Sequence, residues 1–163
     1  MDTALIDSLI TCEKLIRTAP KKTMSTDPRN DFTFRNGFTC VSADGKVFEV
    51  FMRMNKKFPY LFSIGLCFRS ENGTFIICRY NGKHPHRNKI ANRNRLDNFH
   101  IHKLYDEQLT DGTDGSLDAE ITEEYATFDE ALFMFLNDCH IGNWQQYFPD
   151  LEDTIGQIRL DGV

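Results

Sequence analysis

Two hairpin signals bracket the stretch that most limits how this chain can fold. Ala43-Asp44-Gly45 stands before V-F-E-V-F-M-R-M, and Glu71-Asn72-Gly73 stands before T-F-I-I-C-R-Y. Asp-Gly and Asn-Gly readily supply the positive φ that tight β-turns need. In the first of these runs Val47, Glu49, Phe51 and Arg53 fall on one face, and Phe48, Val50, Met52 and Met54 on the other. Alternation at period two is a strand pattern, since a helix would mix the two sets. Y-L-F-S-I-G-L-C-F-R over 60–69 and F-T-F-R-N-G-F-T-C-V-S ahead of the first turn are further strand-length runs. Consecutive strands joined by tight turns make an antiparallel meander.

Helices flank this meander. Leu5, Ile6, Leu9, Ile10, Cys12, Leu15 and Ile16 follow the 3.6-residue period and predict a helix over 3–18, with Asp2 or Thr3 as its cap. Residues 20–31, with Pro20 and Pro28, read as a connecting loop. Thr127-Phe128-Asp129-Glu130 is a capping box, and Phe128, Ala131, Leu132, Phe135 and Leu136 form the buried stripe of a helix that ends near Cys139. Trp144, Tyr147 and Phe148 are expected to pack on the core, and the tail adds a strand or a short helix. The expected fold class is α+β: an antiparallel meander with the N-terminal helix and the 127–139 helix on one face, in one domain over 1–163.

Composition agrees with a folded domain. The chain has 163 residues, 40% of them hydrophobic and 14 of them Phe, enough to build a real core. No apolar run approaches the roughly 18 residues of a membrane span, and the N-terminus carries no leader-like basic and apolar regions. Cys12, Cys40, Cys67, Cys78 and Cys139 are widely spaced among apolar neighbours and form no C-x-x-C, so they read as reduced core thiols of a cytoplasmic protein.

Chemistry concentrates between Arg79 and Lys103. This stretch holds four of the five histidines, as the pairs His84-x-His86 and His100-x-His102. It also holds Arg79, Lys83, Arg87, Lys89, Arg93, Arg95 and Lys103 against the single acid Asp97, in a chain of net charge −5. Residues 104–163 are the reverse, with 15 acids and Arg159 alone as a base. The segment F-H-I-H-K-L-Y reads as a strand, which puts His100 and His102 on one face. Asn81-Gly82 is expected to turn the chain before them, 87–98 to form a polar loop, and 108–118 an acidic one.

Three uses of these residues follow from their chemistry. Histidines titrate near neutral pH, so His84, His86, His100 and His102 are acid–base candidates for cleaving a phosphodiester. Arg79, Arg87 and Lys103 would hold the phosphate, and Lys83, Lys89, Arg93, Arg95 and Asn88 extend the basic surface. RNA is the natural substrate, because its 2′-hydroxyl can serve as the nucleophile without a cofactor, and Tyr80 or Tyr105 would stack on a base. Alternatively the imidazoles hold a divalent metal, with Asp97, Asp106 or Glu107 completing the shell. In the third use the surface binds without catalysis, or the paired histidines only fix the loop by hydrogen bonds. No phosphate-binding loop, dinucleotide fingerprint or nucleophile elbow occurs in the chain.

The arrangement R-Y-N-G-K-H-P-H-R-N followed by F-H-I-H-K-L-Y resembles a group of small prokaryotic proteins with a domain of unknown function, the DUF6978-like proteins. The likeness spans roughly residues 37–142 and rests on Arg79, His86, Asn88, His100 and His102; the acid which that group carries at the strand end is Asn81 here. In outline it is also similar to histidine-rich toxin components of toxin–antitoxin pairs. The resemblance implies a protein of phage or mobile-element type and sharpens the site, while the group itself carries no assigned activity; the chemistry of the residues gives the expectation of RNA binding, with cleavage in the manner of a ribonuclease toxin as its extension. A rival expectation is an inhibitor of a host defence complex, of the anti-CRISPR kind, whose acidic region 106–130 engages a basic protein partner.

Overall fold

The structure is a computed structural model and describes residues 2–83, 98–104 and 119–161. It is α+β: among the described residues three α-helices accompany an eight-stranded antiparallel sheet in meander order. Helix α1 spans Thr3–Thr11, and strands β1 (Lys14–Thr18), β2 (Ser25–Asp27), β3 (Asn30–Ser42), β4 (Val47–Asn55), β5 (Phe62–Ser70) and β6 (Gly73–Asn81) follow. Strands β7 (His100–Lys103) and β8 (Glu120–Ile121), helix α2 (Phe128–Asp138), a short 3-10 turn at Trp144–Gln146 and helix α3 (Leu151–Asp161) complete the order. The sheet runs β1-β3-β4-β5-β6-β7-β8, with β2 paired on β3. Both hairpin turns form where the sequence signals them, with Gly45 at φ 84° and Gly73 at φ 131°. No helix among the described residues is long and apolar enough to cross a membrane.

The capping box forms too. Thr127 Oγ1 accepts from the Glu130 N–H at 3.1 Å, and Ala131, Leu132, Phe135 and Leu136 are buried. They pack with Ile6, Leu9 and Ile10 of α1 on the side of the sheet that presents Phe48, Met52, Ile64, Cys78 and Tyr80.

The expected helix over 3–18 is shorter than its apolar pattern suggests. It ends at Thr11, Cys12 takes extended backbone angles, and 14–18 is a strand. Lys14 is fully buried and Leu15 is exposed, which is the alternation of a strand rather than a helical stripe. The Lys14 ammonium donates to the carbonyls of Ile10 at 2.8 Å, Cys12 at 2.7 Å and Cys139 at 3.0 Å, and lies over the Phe48 ring. One cation therefore satisfies terminal carbonyls of both α1 and α2, where the helix dipoles are negative. Residues 20–31 are likewise not all loop, because Ser25–Asp27 pairs with β3 across Pro28 and Arg29.

Candidate functional site

The site is set by register. Ser63, Asn81 and His100 stand opposite one another on β5, β6 and β7, as do Gly65, Arg79 and His102. On β6 the residues alternate between two destinations. Cys78 and Tyr80 face α2: the Cys78 sulfur lies 3.7 Å from that of Cys139, and the Tyr80 hydroxyl donates to Asp138 at 2.5 Å. Arg79 and Asn81 therefore fall on the opposite face, with His100 and His102 beside them.

The row continues across the sheet. Arg53 of β4 stands opposite Ser63, and Arg35 of β3 opposite Arg53. The face turned away from the helices thus carries Arg35, Arg53, Ser63, Asn81 and His100 in one line, with Arg79 and His102 in the next. At about 4.8 Å per strand, Arg35 and His100 are roughly 19 Å apart. The Phe51 ring lies over Gly65, where a Cβ would come within 2.2 Å of it, and the Arg53 guanidinium lies 5.5 Å from the ring centre. Exposure falls along the row, from Arg35 and Arg53 at the surface to Asn81 at 1% and His100 at 0%.

The two imidazoles touch edge to face, 4.9 Å between ring centres. His100 Nδ1 lies 2.8 Å from the Asn98 carbonyl. A carbonyl only accepts, so Nδ1 carries the proton, and a neutral His100 has Nε2 as its basic nitrogen. Two positive rings at this separation would repel by about 3 kcal/mol at an effective dielectric near 20, which disfavours charging both at once. Ser63 Oγ donates to Asn81 Oδ1 at 2.8 Å, while the Asn81 amide nitrogen makes no hydrogen bond among the described residues. Beneath the row the Tyr125 hydroxyl sits 2.9 Å from the carbonyl oxygens of both Asn81 and His100, tying β6 to β7. Burial pushes that hydroxyl well above the ordinary tyrosine range, so it stays protonated as a donor.

Several expectations change. Tyr80 is 5% exposed and stacked beside Tyr125, so its ring belongs to the core and no base can reach it. Lys103 stands opposite Cys78, on the other face from His102, and does not join Arg79 on a common phosphate. Asn81-Gly82 does not turn the chain: Gly82 N–H donates to Phe62 and Lys83 N–H to Tyr60, so the segment continues along β5. His84, His86, Arg87, Asn88, Lys89, Arg93, Arg95 and Tyr105 lie outside the described residues, as do Asp97, Asp106, Glu107 and the loops at 87–97 and 108–118. Among the described residues no three His, Cys, Asp or Glu side chains come together to hold a metal. Arg35, Arg53, Ser63 and Tyr125 were not signalled as site residues by the sequence. The only hint was Arg53 on the Glu49–Phe51 face of its strand, and its meaning depends on the pairing with β5.

No family model, curated protein or solved structure matches this chain.

Proposed function

We propose that this protein binds RNA on the sheet face turned away from its helices. The observation that carries the reading is the cross-strand alignment of Arg35, Arg53, Ser63, Asn81 and His100, with Arg79 and His102 alongside. Guanidinium groups pair with phosphate in bidentate fashion. Half-buried Ser63 offers a hydroxyl to a 2′-hydroxyl, the group that distinguishes RNA from DNA, while Asn81, His100 and His102 lie buried at the end of the row. The half-buried Arg79 and Ser63 lead from the exposed arginines toward the histidines.

Cleavage is the second reading, and the contact between His100 and His102 favours it. A neutral imidazole beside a protonated one would place a base and an acid side by side, which is what 2′-hydroxyl attack and leaving-group protonation require. The rival inhibitor reading draws on the exposed Glu120, Glu123 and Glu124 at the described end of the acidic region.

The test is incubation of labelled mixed RNA with the protein, with and without EDTA, beside Arg79→Gln and His100→Ala/His102→Ala. Binding that weakens about tenfold in Arg79→Gln, with a salt slope shallower by roughly 0.7, is the expected result. Cleavage that survives EDTA and disappears in the histidine variant adds the ribonuclease activity. Cleavage lost with EDTA assigns a metal to the cluster. RNA affinity unchanged in both variants overturns the proposal. In that case reversal of Glu120, Glu123 and Glu124 should abolish capture of a basic protein partner.

A further inference from the structure

One end of the sheet gathers exposed aromatic rings and cations that the site above does not use. The loop between β4 and β5 carries Lys56, Lys57, Phe58 and Tyr60, and its Lys56 N–H donates to the Phe32 carbonyl at the start of β3. Phe32 is 73% exposed, Tyr60 47% and Phe58 41%. Phe58 and Tyr60 lie 5.8 Å apart between ring centres, with the Lys57 ammonium over the Phe58 ring at 5.4 Å. At the same end of the sheet Asp27, Arg29, Asn30, Thr33, Arg35 and Arg53 line an open cleft of about 290 Å³. Asp27 there is buried and accepts from the Arg29 N–H, which occupies part of its charge within the turn.

The charge of this end is one-sided. Arg29, Arg35, Arg53, Lys56, Lys57 and Lys83 stand against only Asp27 and Asp31 on the stretches 27–35, 53–60 and 82–83. Phe58 and Tyr60, paired and exposed, form a small apolar patch flanked by cations. Rings interleaved with cations are what a single-stranded nucleic acid needs: any base stacks on a ring, and the cations follow the backbone.

The loop is also held against the histidine-bearing stretch. Lys83 N–H donates to the Tyr60 carbonyl at 2.9 Å, and a Cβ on Gly82 would come within 1.9 Å of that oxygen. Only glycine permits this approach. It joins the aromatic loop to the end of β6, where Asn81 meets His100.

We infer that Phe58 and Tyr60 form a base-stacking platform for single-stranded RNA, and that Lys57 and the Arg29–Arg35–Arg53 cleft hold its phosphates. This rests on the RNA-binding reading and extends it: the strand enters at the platform and crosses the sheet toward Arg79 and the histidines.

The experiment is fluorescence anisotropy of a labelled oligouridylate of about 12 nucleotides, within the span such surfaces cover. It uses the full chain at several salt concentrations, and thermal melting confirms that each variant folds. Phe58→Ala/Tyr60→Ala should weaken binding tenfold or more with the salt slope unchanged, because stacking releases no counterions. Phe58→Trp/Tyr60→Trp should retain affinity. Lys57→Gln/Arg53→Gln should weaken binding and flatten the slope by roughly 1.4. Wild-type affinity in the double alanine variant overturns the platform and leaves the patch to a protein partner. Affinity lost in that variant but kept in His100→Ala/His102→Ala upholds the platform and removes the histidine row from the binding site. No binding by the unaltered protein overturns both.

Discussion

Strand β6 presents two faces that are buried for different reasons. Toward the helices, Cys78 and Tyr80 sit in an apolar layer with Phe135 and Cys139. Away from them, Arg79 and Asn81 meet His102 and His100, with Asn81, His100 and His102 no more than 5% exposed. Burial of apolar surface stabilises at roughly 25 cal/mol per Å², whereas burial of polar groups is costly unless they are paired. The first face therefore accounts for the fold. The second depends on its polar pairing to stay buried, and it concentrates side chains that suit phosphate and proton chemistry. Adjacent residues on one strand thus separate what keeps the protein folded from what it is proposed to do.

The sharpest way to break this comparison is to truncate each face and measure stability and RNA affinity together. Phe135 is fully buried and packs edge-on against Tyr80, 5.5 Å between ring centres. Phe135→Ala should cost about 3–5 kcal/mol in urea unfolding. His102→Ala should cost about 1 kcal/mol, the ordinary size for a point substitution, and should lower RNA affinity about tenfold. Equal destabilisation by the two variants would make both faces core and remove the reason to assign the second one a function.

Thiol titration compares the faces at a smaller scale. Cys40 lies on the helix side, and burial pushes it from about 9 to about 12. Cys67 stands opposite Glu49 on the other face, where burial first and then the Glu49 carboxylate raise it to about 11. In both cases the folded state holds the proton more tightly than the unfolded chain. The resulting stability is complete below about pH 9 and is lost as pH rises through 9 toward the folded value. Cys40→Ala should flatten the decline across pH 9 to 12, and Cys67→Ala only up to about 11, in denaturant titrations at stepped pH. A residual slope should remain in both, because burial and the Asp138 hydrogen bond also hold the Tyr80 proton. A larger flattening from Cys67→Ala would reverse the ranking of the two faces.

What the sequence reveals here is what depends on neighbours in the chain. The turns at Gly45 and Gly73, the alternation of 47–54 and the Thr127 cap are local devices, and all of them form. The His-x-His strand and its facing are legible for the same reason. The end of α1 is not, because the carbonyl of Cys139 that helps to bind the Lys14 ammonium lies 125 residues away. Nor is the choice between Arg79 and Tyr80 as the outward residue. The period-two pattern says that they face opposite ways, and only the packing of α2 against Tyr80 decides which way is in. The arginine row needs four strands in register, and no single segment displays it.

The smallest effect tests whether the outward face behaves as a binding surface where it is fully wet. Glu49 pairs with Arg69 there, both side chains at least 40% exposed. Such pairs contribute about 0.2–1 kcal/mol, so Glu49→Gln should shift stability by about 0.5 kcal/mol or less. Its effect on affinity should have the opposite sign. Glu49 lies four residues from Arg53 along β4, roughly 13 Å, little more than a Debye length at 0.1 M salt. Removing its carboxylate should tighten RNA binding about twofold in low salt and leave it unchanged at about 0.5 M. Tighter binding with unaltered stability would be the signature of a surface whose charge serves a ligand. A loss of stability above about 1 kcal/mol with no change in affinity would instead mean that charges on this face hold strands together, as apolar contacts do on the other.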